Sequence, residues 1–231
     1  MTGEYPRVLE NPFDFSALLC YFIAIMKTDE SIPKEKLFQI RGMMSVPYLL
    51  CVIYFVYAII QYASAETNGA YSSLFYLIHG PIHEIGHFIF SSRIFPLMVH
   101  VLAGTAFQWL APIGAGIQFI RTREFPALAV CLGWLGFSML DSMAYMRDAN
   151  VLELQLTSPF AGGGEIIHDW QYIFGHTGML RHAETIGNVT GFFGYIFAGA
   201  SILWILFMLG YGLRETFRRT VKCFDHQENH S

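Results

Sequence analysis

Charged side chains are scarce in this sequence. Asp, Glu, Lys and Arg make up 14% of its 231 residues and hydrophobic residues 54%, whereas a soluble domain is about one quarter charged. The Lys and Arg residues are scattered and the formal net charge is −4, so no basic surface for nucleic acid is indicated. The composition argues against an ordinary soluble domain and predicts membrane lipid, not nucleic acid, as the surroundings of the chain.

A cysteine framework and a signal peptide are also missing. The cysteines lie far apart and fit neither a set of disulfides nor a thiolate zinc ribbon; they are Cys20, Cys51, Cys131 and Cys223. The first residues, Met1–Pro6, have neither the basic region nor the apolar core of a signal peptide. The first membrane span is therefore expected to act as its own insertion signal.

Long apolar runs take the place of charge, and each is long enough to cross a bilayer as a helix. The runs are Met43–Ala63, Ala70–Phe95, Leu97–Ile120, Pro126–Met146 and Asn188–Gly212. They predict an all-α, polytopic transmembrane helical bundle of about five spans, with a polar loop or re-entrant region, Arg147–Ile186, between the last two. We expect a membrane domain over 43–212, between a cytoplasmic or interfacial region, 1–42, and a polar tail, 213–231.

The basic residues leave two topologies open. By the positive-inside rule the N-terminal region is cytoplasmic, because it contains Lys27, Lys34, Lys36 and Arg41. Five spans would then put the basic tail on the opposite side. A re-entrant third segment, broken at the Pro/Gly stretch Ala111–Gly116, would bring both ends to the cytoplasm. The geometry needed for the site below favours five spans.

The second apolar run contains ionisable residues that membrane spans normally lack. It includes His83-Glu84-Ile85-Gly86-His87, the His-Glu-x-x-His zinc motif of metallopeptidases. Residues four apart share a helix face, so both imidazoles can bind one ion, and Glu84 beside them can act as general base. Ionisable groups cost roughly 2.5–3.5 kcal/mol each inside a span. We therefore prefer a Zn²⁺ site to the alternative, a packed histidine pair.

A catalytic zinc site of this kind needs a third protein ligand. The first candidate is His168, in a polar segment that can fold back over the pair; the alternative is an ordinary interfacial histidine. The second candidate is Asp141, in the fourth apolar run. Its alternative role is an interhelical hydrogen bond, the commoner use of a lone polar residue in a span.

Four further polar residues are candidates for the surroundings of the ion. Asp148 and Asp169 could orient an imidazole from behind, or cap helices at the membrane edge. Gln108 could hydrogen-bond a substrate backbone or bridge two helices. His79 lies one turn before the motif, but Pro81 disrupts the turn between them. Packing or a water contact is therefore expected for His79 rather than ligation.

The motif and the aspartate of a later span resemble the site-2 protease class of intramembrane zinc metallopeptidases. The likeness covers His83–His87 and Leu140-Asp141. Those enzymes cut transmembrane segments of regulatory proteins and hold zinc with two His and one Asp. The class pattern has Gly after that Asp, whereas this chain has Ser142, and no Asn/Pro element precedes it.

A closer likeness is to uncharacterised bacterial multi-pass proteins that are often labelled zinc metallopeptidases. It runs from about Tyr76 to Gly194 and rests on four elements of this sequence. These are the His-Glu-x-Gly-His stretch, Gln108 with Pro112, Tyr145-Met146-Arg147-Asp148-Ala149, and His168-Asp169-Trp170. The resemblance implies that His168 belongs to the site and that the chain lies in a bacterial inner membrane.

The leading hypothesis is a membrane-embedded zinc peptidase that hydrolyses a peptide bond in or near the bilayer, in a membrane protein or a peptide. A second hypothesis is a di-iron membrane hydroxylase, with the irons held by His79, His83, His87, His168, His176 and His182. A third is a membrane subunit that binds metal or haem without catalysis. Metal content separates the first two, since one zinc or two irons would be found.

Overall fold

The computed structural model describes residues 46–64, 74–154 and 167–228. This part of the chain contains six α-helices, one short 3-10 turn and no strand. The helices are α1 (Val46–Ser64), α2 (Tyr76–Ile89), α3 (Leu97–Thr122), α4 (Phe125–Asp148), α5 (Asp169–Thr177) and α6 (Ala183–Glu228), with the 3-10 turn at Leu180–His182. The predicted all-α helical bundle is confirmed.

Within the described ranges, four segments are long and apolar enough to cross a membrane. They are Pro47–Ser64, Leu97–Thr122, Phe125–Asp148 and Leu180–Gly212. Each lies within a few residues of a run predicted from hydropathy, except that the last begins earlier than expected. The chain is therefore a membrane protein.

The second predicted span is the exception. Helix α2 has 14 residues, from Tyr76 to Ile89, which at about 1.5 Å per residue is about 21 Å. The hydrocarbon core of a bilayer is about 30 Å thick. The apolar run continues to Phe95, but the helix ends in a turn near Phe90 and the chain reaches α3 through Pro96. A fifth full span over Ala70–Phe95 is therefore wrong.

The third span is continuous. Helix α3 runs for 26 residues through Pro112, which is buried inside it. A re-entrant hairpin broken at Ala111–Gly116 is therefore also wrong. Neighbouring helices can satisfy the carbonyl that an intrahelical proline leaves without its donor, which is why membrane helices tolerate proline.

The centre of the bundle is the contact between α4 and α6. A methyl group added at Gly136 would lie 2.7 Å from the Ala198 nitrogen and 2.7 Å from the Gly194 carbonyl oxygen. Only glycine allows this approach of two backbones. Around the contact, aromatic side chains of α1 and α4 pack together with Phe75, whose ring centroid is 4.4 Å from that of Phe137. Phe75 therefore holds the start of α2 against the bundle.

The short helix α5 packs against α3 and α4. Its buried residues Trp170, Ile173 and Phe174 form one cluster with Val101 of α3 and Met146 of α4. This packing fixes the first turn of α5 close to α2. The bundle therefore brings together two short helices, α2 and α5, that are separated by two long ones in the sequence.

Several expectations fall on residues that lie outside the described part. These are the N-terminal region, 1–42, and the centre of the polar connection, 155–166. At the other end, α6 continues past Gly212 to Glu228, so most of the expected polar tail is helical.

Candidate metal centre

Helix α2 places His83 and His87 on one face, as their four-residue spacing predicts. Their Nε2 atoms are 3.0 Å apart, and the ring centroids are 4.7 Å apart in an edge-to-face arrangement. The two side chains are 14% and 15% exposed. Two imidazole nitrogens therefore converge on one point that is largely shielded from solvent.

The third donor at this point is the carboxylate of Asp169, the first residue of α5. Its Oδ2 atom is 2.9 Å from His83 Nε2 and 3.2 Å from His87 Nε2. Ligands of a tetrahedral zinc ion, with bonds near 2.0–2.1 Å, are about 3.3 Å apart. The three donors are closer than this by a few tenths of an ångström, so small side-chain rotations would admit an ion. In the described residues, no other group of three such side chains has this geometry.

The tautomer of His87 is set by the backbone of α3. Its Nδ1–H donates to the His100 carbonyl oxygen at 2.8 Å, which leaves the Nε2 lone pair facing the other two donors. In return, His100 Nδ1–H donates to the carbonyl oxygens of His87 and Phe90, each at 3.1 Å. Metal-binding histidines usually have such a partner on the second nitrogen. No spacing rule predicts His100, because its role depends on how α2 and α3 cross.

Helix α3 leaves room for the rings at Gly104. A Cβ built there would lie 2.5 Å from His87 Nε2 and 2.6 Å from His83 Nε2. Any larger residue would occupy the space of the two donor nitrogens. Sequence reasoning missed Gly104, because a glycine in an apolar helix usually signals helix packing.

The electrostatics of the three donors favour a bound cation. Burial acts to raise the pKa of Asp169, but hydrogen bonds and charge from His83 and His87 outweigh it, and the pKa lies below its ordinary value. Burial acts to lower the pKa of His87, yet Asp169, the His100 carbonyl and the charge of Glu84 raise it overall. The carboxylate therefore favours its charged form beside the two imidazole nitrogens, and a divalent cation would compete with protons for these donors.

The residue brought to the pair is Asp169, whereas the sequence favoured its neighbour His168. His168 is the N-cap of α5: its Nδ1 accepts from Gln171 N at 3.2 Å, and its Nε2–H donates to Asp148 Oδ2 at 3.1 Å. Neither nitrogen is left for a metal. Burial lowers the pKa of His168 despite the opposing effect of Asp148, which favours the neutral form of the ring. Asp148 therefore orients an imidazole, as the sequence suggested. That imidazole belongs to His168, which is not a metal ligand.

Asp169 is itself held in place from α4. Its backbone N–H donates to the Tyr145 hydroxyl at 3.0 Å. The Tyr145 ring lies 4.3 Å from the ring of His168 and 6.1 Å from that of His83. Tyr145 therefore touches both sides of the contact between α2 and α5.

The other candidates lie away from the three donors. Asp141 hydrogen-bonds with His79 and Tyr62, so the structure does not bring it to the pair. Gln108 Nε2 donates to the Ser138 carbonyl oxygen at 3.3 Å and is buried; it bridges α3 and α4. Asp141 and Gln108 therefore make hydrogen bonds between helices, which was the alternative role considered for each of them from the sequence.

The six histidines of the di-iron hypothesis do not assemble. His176 and His182 are exposed and hydrogen-bond locally, to the Tyr172 carbonyl oxygen and to Arg181. With His79 and His168 engaged as described, only His83 and His87 of that set share a site. Glu84 is half-buried and lies near enough to His87 for its charge to act on that ring.

No protein-family model matches the chain, and no curated protein and no solved structure matches it either. The resemblances drawn from its motifs therefore remain predictions, and the site is argued from its own geometry.

Proposed function

We propose that this chain is a multi-pass membrane zinc peptidase, with His83, His87 and Asp169 as metal ligands and Glu84 as general base. One observation carries the proposal: two imidazole nitrogens and one carboxylate oxygen, from two separate helices, converge within 2.9–3.2 Å of one another. Two nitrogens and one oxygen form a common ligand set for catalytic zinc, in which a fourth position stays open.

The donor chemistry favours zinc over the other common cations. Calcium and magnesium prefer all-oxygen sites with six or more ligands, whereas imidazole suits zinc and its transition-metal neighbours. A bound zinc ion supplies Lewis-acid chemistry, because it polarises a carbonyl and lowers the pKa of a coordinated water. The protein's part is to hold the ligands, orient the substrate and move the protons.

Glu84 is the group that moves protons in this proposal. It adjoins His83 on α2, and its charge reaches His87. Its carboxylate takes a proton from the attacking water as the oxygen bonds to the carbonyl carbon. It then passes that proton to the nitrogen of the leaving amine as the C–N bond breaks.

The surroundings of the site favour a substrate that comes from the membrane. The outward residues of α2 are apolar and exposed, with Leu77, Ile85 and Phe88 at 69%, 47% and 71%, so lipid covers this face of the helix. We propose as substrate an unwound segment of a membrane protein, or a peptide that enters from the interface. In this proposal the chain is a multi-pass protein of a bacterial inner membrane, where such substrates are present.

Substitution of Glu84 by Gln tests the proposal. In detergent-purified protein supplied with zinc and a library of apolar peptides, Glu84→Gln should keep the metal and lose cleavage. Glu184→Gln, the same change at an exposed position at the start of α6, is the matched control and should cleave normally.

A different pattern would favour a metal-binding protein without catalysis. In cells, that reading predicts that Glu84→Gln retains the wild-type phenotype and that His83→Ala loses it. Hydrolysis predicts the loss of the phenotype in both variants.

A further inference from the structure

A second polar cluster joins α2 to α1 and α4. Asp141 of α4 accepts hydrogen bonds from the Tyr62 hydroxyl of α1 and from His79 Nδ1–H of α2. The other ring nitrogen of His79 is 3.0 Å from the Ser138 hydroxyl. His79 is 2% exposed and Ser138 is fully buried. Three helices therefore meet at one buried imidazole.

Ser138, His79 and Asp141 follow the Ser–His–Asp order of a hydrolytic triad, but a substrate has no access to the serine. A nucleophilic serine must reach the carbonyl of a substrate, and Ser138 has no exposed surface. The ring of His79 also stacks on Phe75, with centroids 5.5 Å apart, inside the aromatic core. Its place in the fold indicates a role in holding α2.

We infer that the His79–Asp141 pair is a positioning device that sets the rotation of α2, and so the direction in which His83 and His87 face. The inference rests on the proposed metal site. Lipid tails are as apolar as the outward residues of α2, so lipid gives little preference for one rotation of the helix over another. A buried pair of hydrogen-bonded ionisable groups gives a strong preference for one rotation, because any other rotation would leave both groups without partners.

The two halves of α2 are attached separately. Pro81 removes one hydrogen bond between them. After it, Gly86 packs directly on the backbone of Ala103 and Gly104, which sets the approach of this half to α3. Before it, His79 links the helix to α1 and α4. Because α2 is continuous through Pro81, the link at His79 also sets the rotation of the second half, which carries His83 and His87.

A small rotation is enough to dismantle the site. Side-chain tips lie about 6 Å from a helix axis, so a rotation of about 20° moves a ring nitrogen by about 2 Å. Metal–ligand distances tolerate only about 0.2 Å. The pair therefore acts on metal binding without touching the metal donors.

The test compares metal binding in His79→Ala and Asp141→Ala with the wild type, using the full chain in lipid nanodiscs. Affinity is measured with Zn²⁺ alone and coordination geometry with Co²⁺, whose visible absorption reports the ligand arrangement. We expect each variant to weaken Zn²⁺ binding about ten- to a hundredfold, the range found for groups behind metal ligands, and to alter the Co²⁺ spectrum. The double variant should lose no more than the worse single one, because the residues act as a pair.

Two further variants separate positioning from a general loss of stability. Ser201→Ala removes another buried hydrogen bond between spans, from Ser201 Oγ to the Ala129 carbonyl oxygen, and should leave both metal readouts unchanged. Tyr62→Phe removes only the hydroxyl that donates to Asp141, and it is the variant to measure if the alanine variants do not fold. It should weaken Zn²⁺ binding and alter the Co²⁺ spectrum to a smaller degree.

A metal-free measurement keeps this inference separate from the proposed function. In a chain without its native cysteines, His83→Cys and Asp169→Cys are joined by a short thiol cross-linker, with and without His79→Ala. A large fall in cross-linking rate supports positioning, even if the wild type binds no zinc. Unchanged cross-linking, or unchanged Zn²⁺ affinity and Co²⁺ spectra in folded His79→Ala protein, overturns it.

Discussion

Replacing Gly104 with alanine would place a methyl group between the two imidazoles and the backbone of α3. The added Cβ would lie 2.5 Å from His87 Nε2 and 2.6 Å from both Nε2 and Cε1 of His83. Non-bonded heavy atoms normally stay about 3.5 Å apart, so each ring must retreat by about 1 Å. That is several times the tolerance of about 0.2 Å for metal–ligand distances. We expect Zn²⁺ affinity to fall at least about a hundredfold, the upper end of the range for groups behind metal ligands.

The same substitution should leave the protein folded. Overpacking costs about 1–3 kcal/mol, and the exchange of Gly for Ala inside a helix returns about 1 kcal/mol. The net cost is well within the usual stability of a folded domain, about 5–15 kcal/mol. Circular dichroism during heating should therefore show a cooperative transition at a moderately lower temperature.

Helix α3 offers a matched control at Gly114. A Cβ there would meet nothing within 4 Å, so Gly114→Ala makes the same chemical change in the same helix without touching the rings. Both variants are titrated with Zn²⁺ against a coloured chelator in detergent. Equal affinity for Gly104→Ala, Gly114→Ala and wild type would refute the placement of the two donor nitrogens against α3.

Three further predictions concern the residues around the donors. His168→Ala should lower the free energy of unfolding by about 1 kcal/mol, since an N-cap is lost, and should keep its zinc. Asp169→Ala should lose the zinc. Heating curves and metal content that are alike for the two variants would contradict this. Zn²⁺ affinity should fall as pH is lowered, because protons compete with the metal for the imidazoles. Burial acts to lower the pKa of His87, but Asp169 raises it above 6.5 overall. A Zn²⁺ affinity that stays constant between pH 8 and 6 would refute this. Gly86→Ala should cost about 1–3 kcal/mol or more, because its Cβ would overlap the carbonyl of Ala103, and an unchanged melting temperature would show that α2 and α3 do not pack this closely.

The long helices were predictable because hydropathy reports them directly. The runs at Leu97–Ile120 and Pro126–Met146 lie inside α3 and α4. The run at Ala70–Phe95 misled, because apolar residues in a turn count toward a hydropathy window as much as those in a helix. Ile94 and Phe95 are such positions: they lie in the turn between α2 and α3.

The histidine pair was predictable because its spacing is local. Four residues separate His83 from His87, and any helix brings them together. The third donor depends on tertiary structure. His168 and Asp169 are adjacent, and only the start of α5 decides which is the N-cap and which faces α2, since successive helical residues differ by about 100°. The sequence analysis favoured His168 because its polar segment can fold back over the pair, but the start of α5 places the carboxylate of Asp169 there instead.

The role of Asp141 could not be read from the sequence for a similar reason. Its partners, Tyr62 and His79, are 79 and 62 residues away. An aspartate in a span is more often an interhelical hydrogen-bond partner, but a nearby zinc motif also allows it to be a ligand. Only the packing of α1, α2 and α4 decides between them.

Elemental analysis of the purified chain tests the central claim most directly. Wild-type protein, prepared with zinc available, is compared with His87→Ala and Asp169→Ala, and with Gly114→Ala as control. The convergence of His83, His87 and Asp169 predicts one zinc ion per chain in the wild type and the control, and a loss of stoichiometric zinc in the other two. Wild-type protein without a stoichiometric transition metal, or Asp169→Ala with its zinc retained, would contradict it.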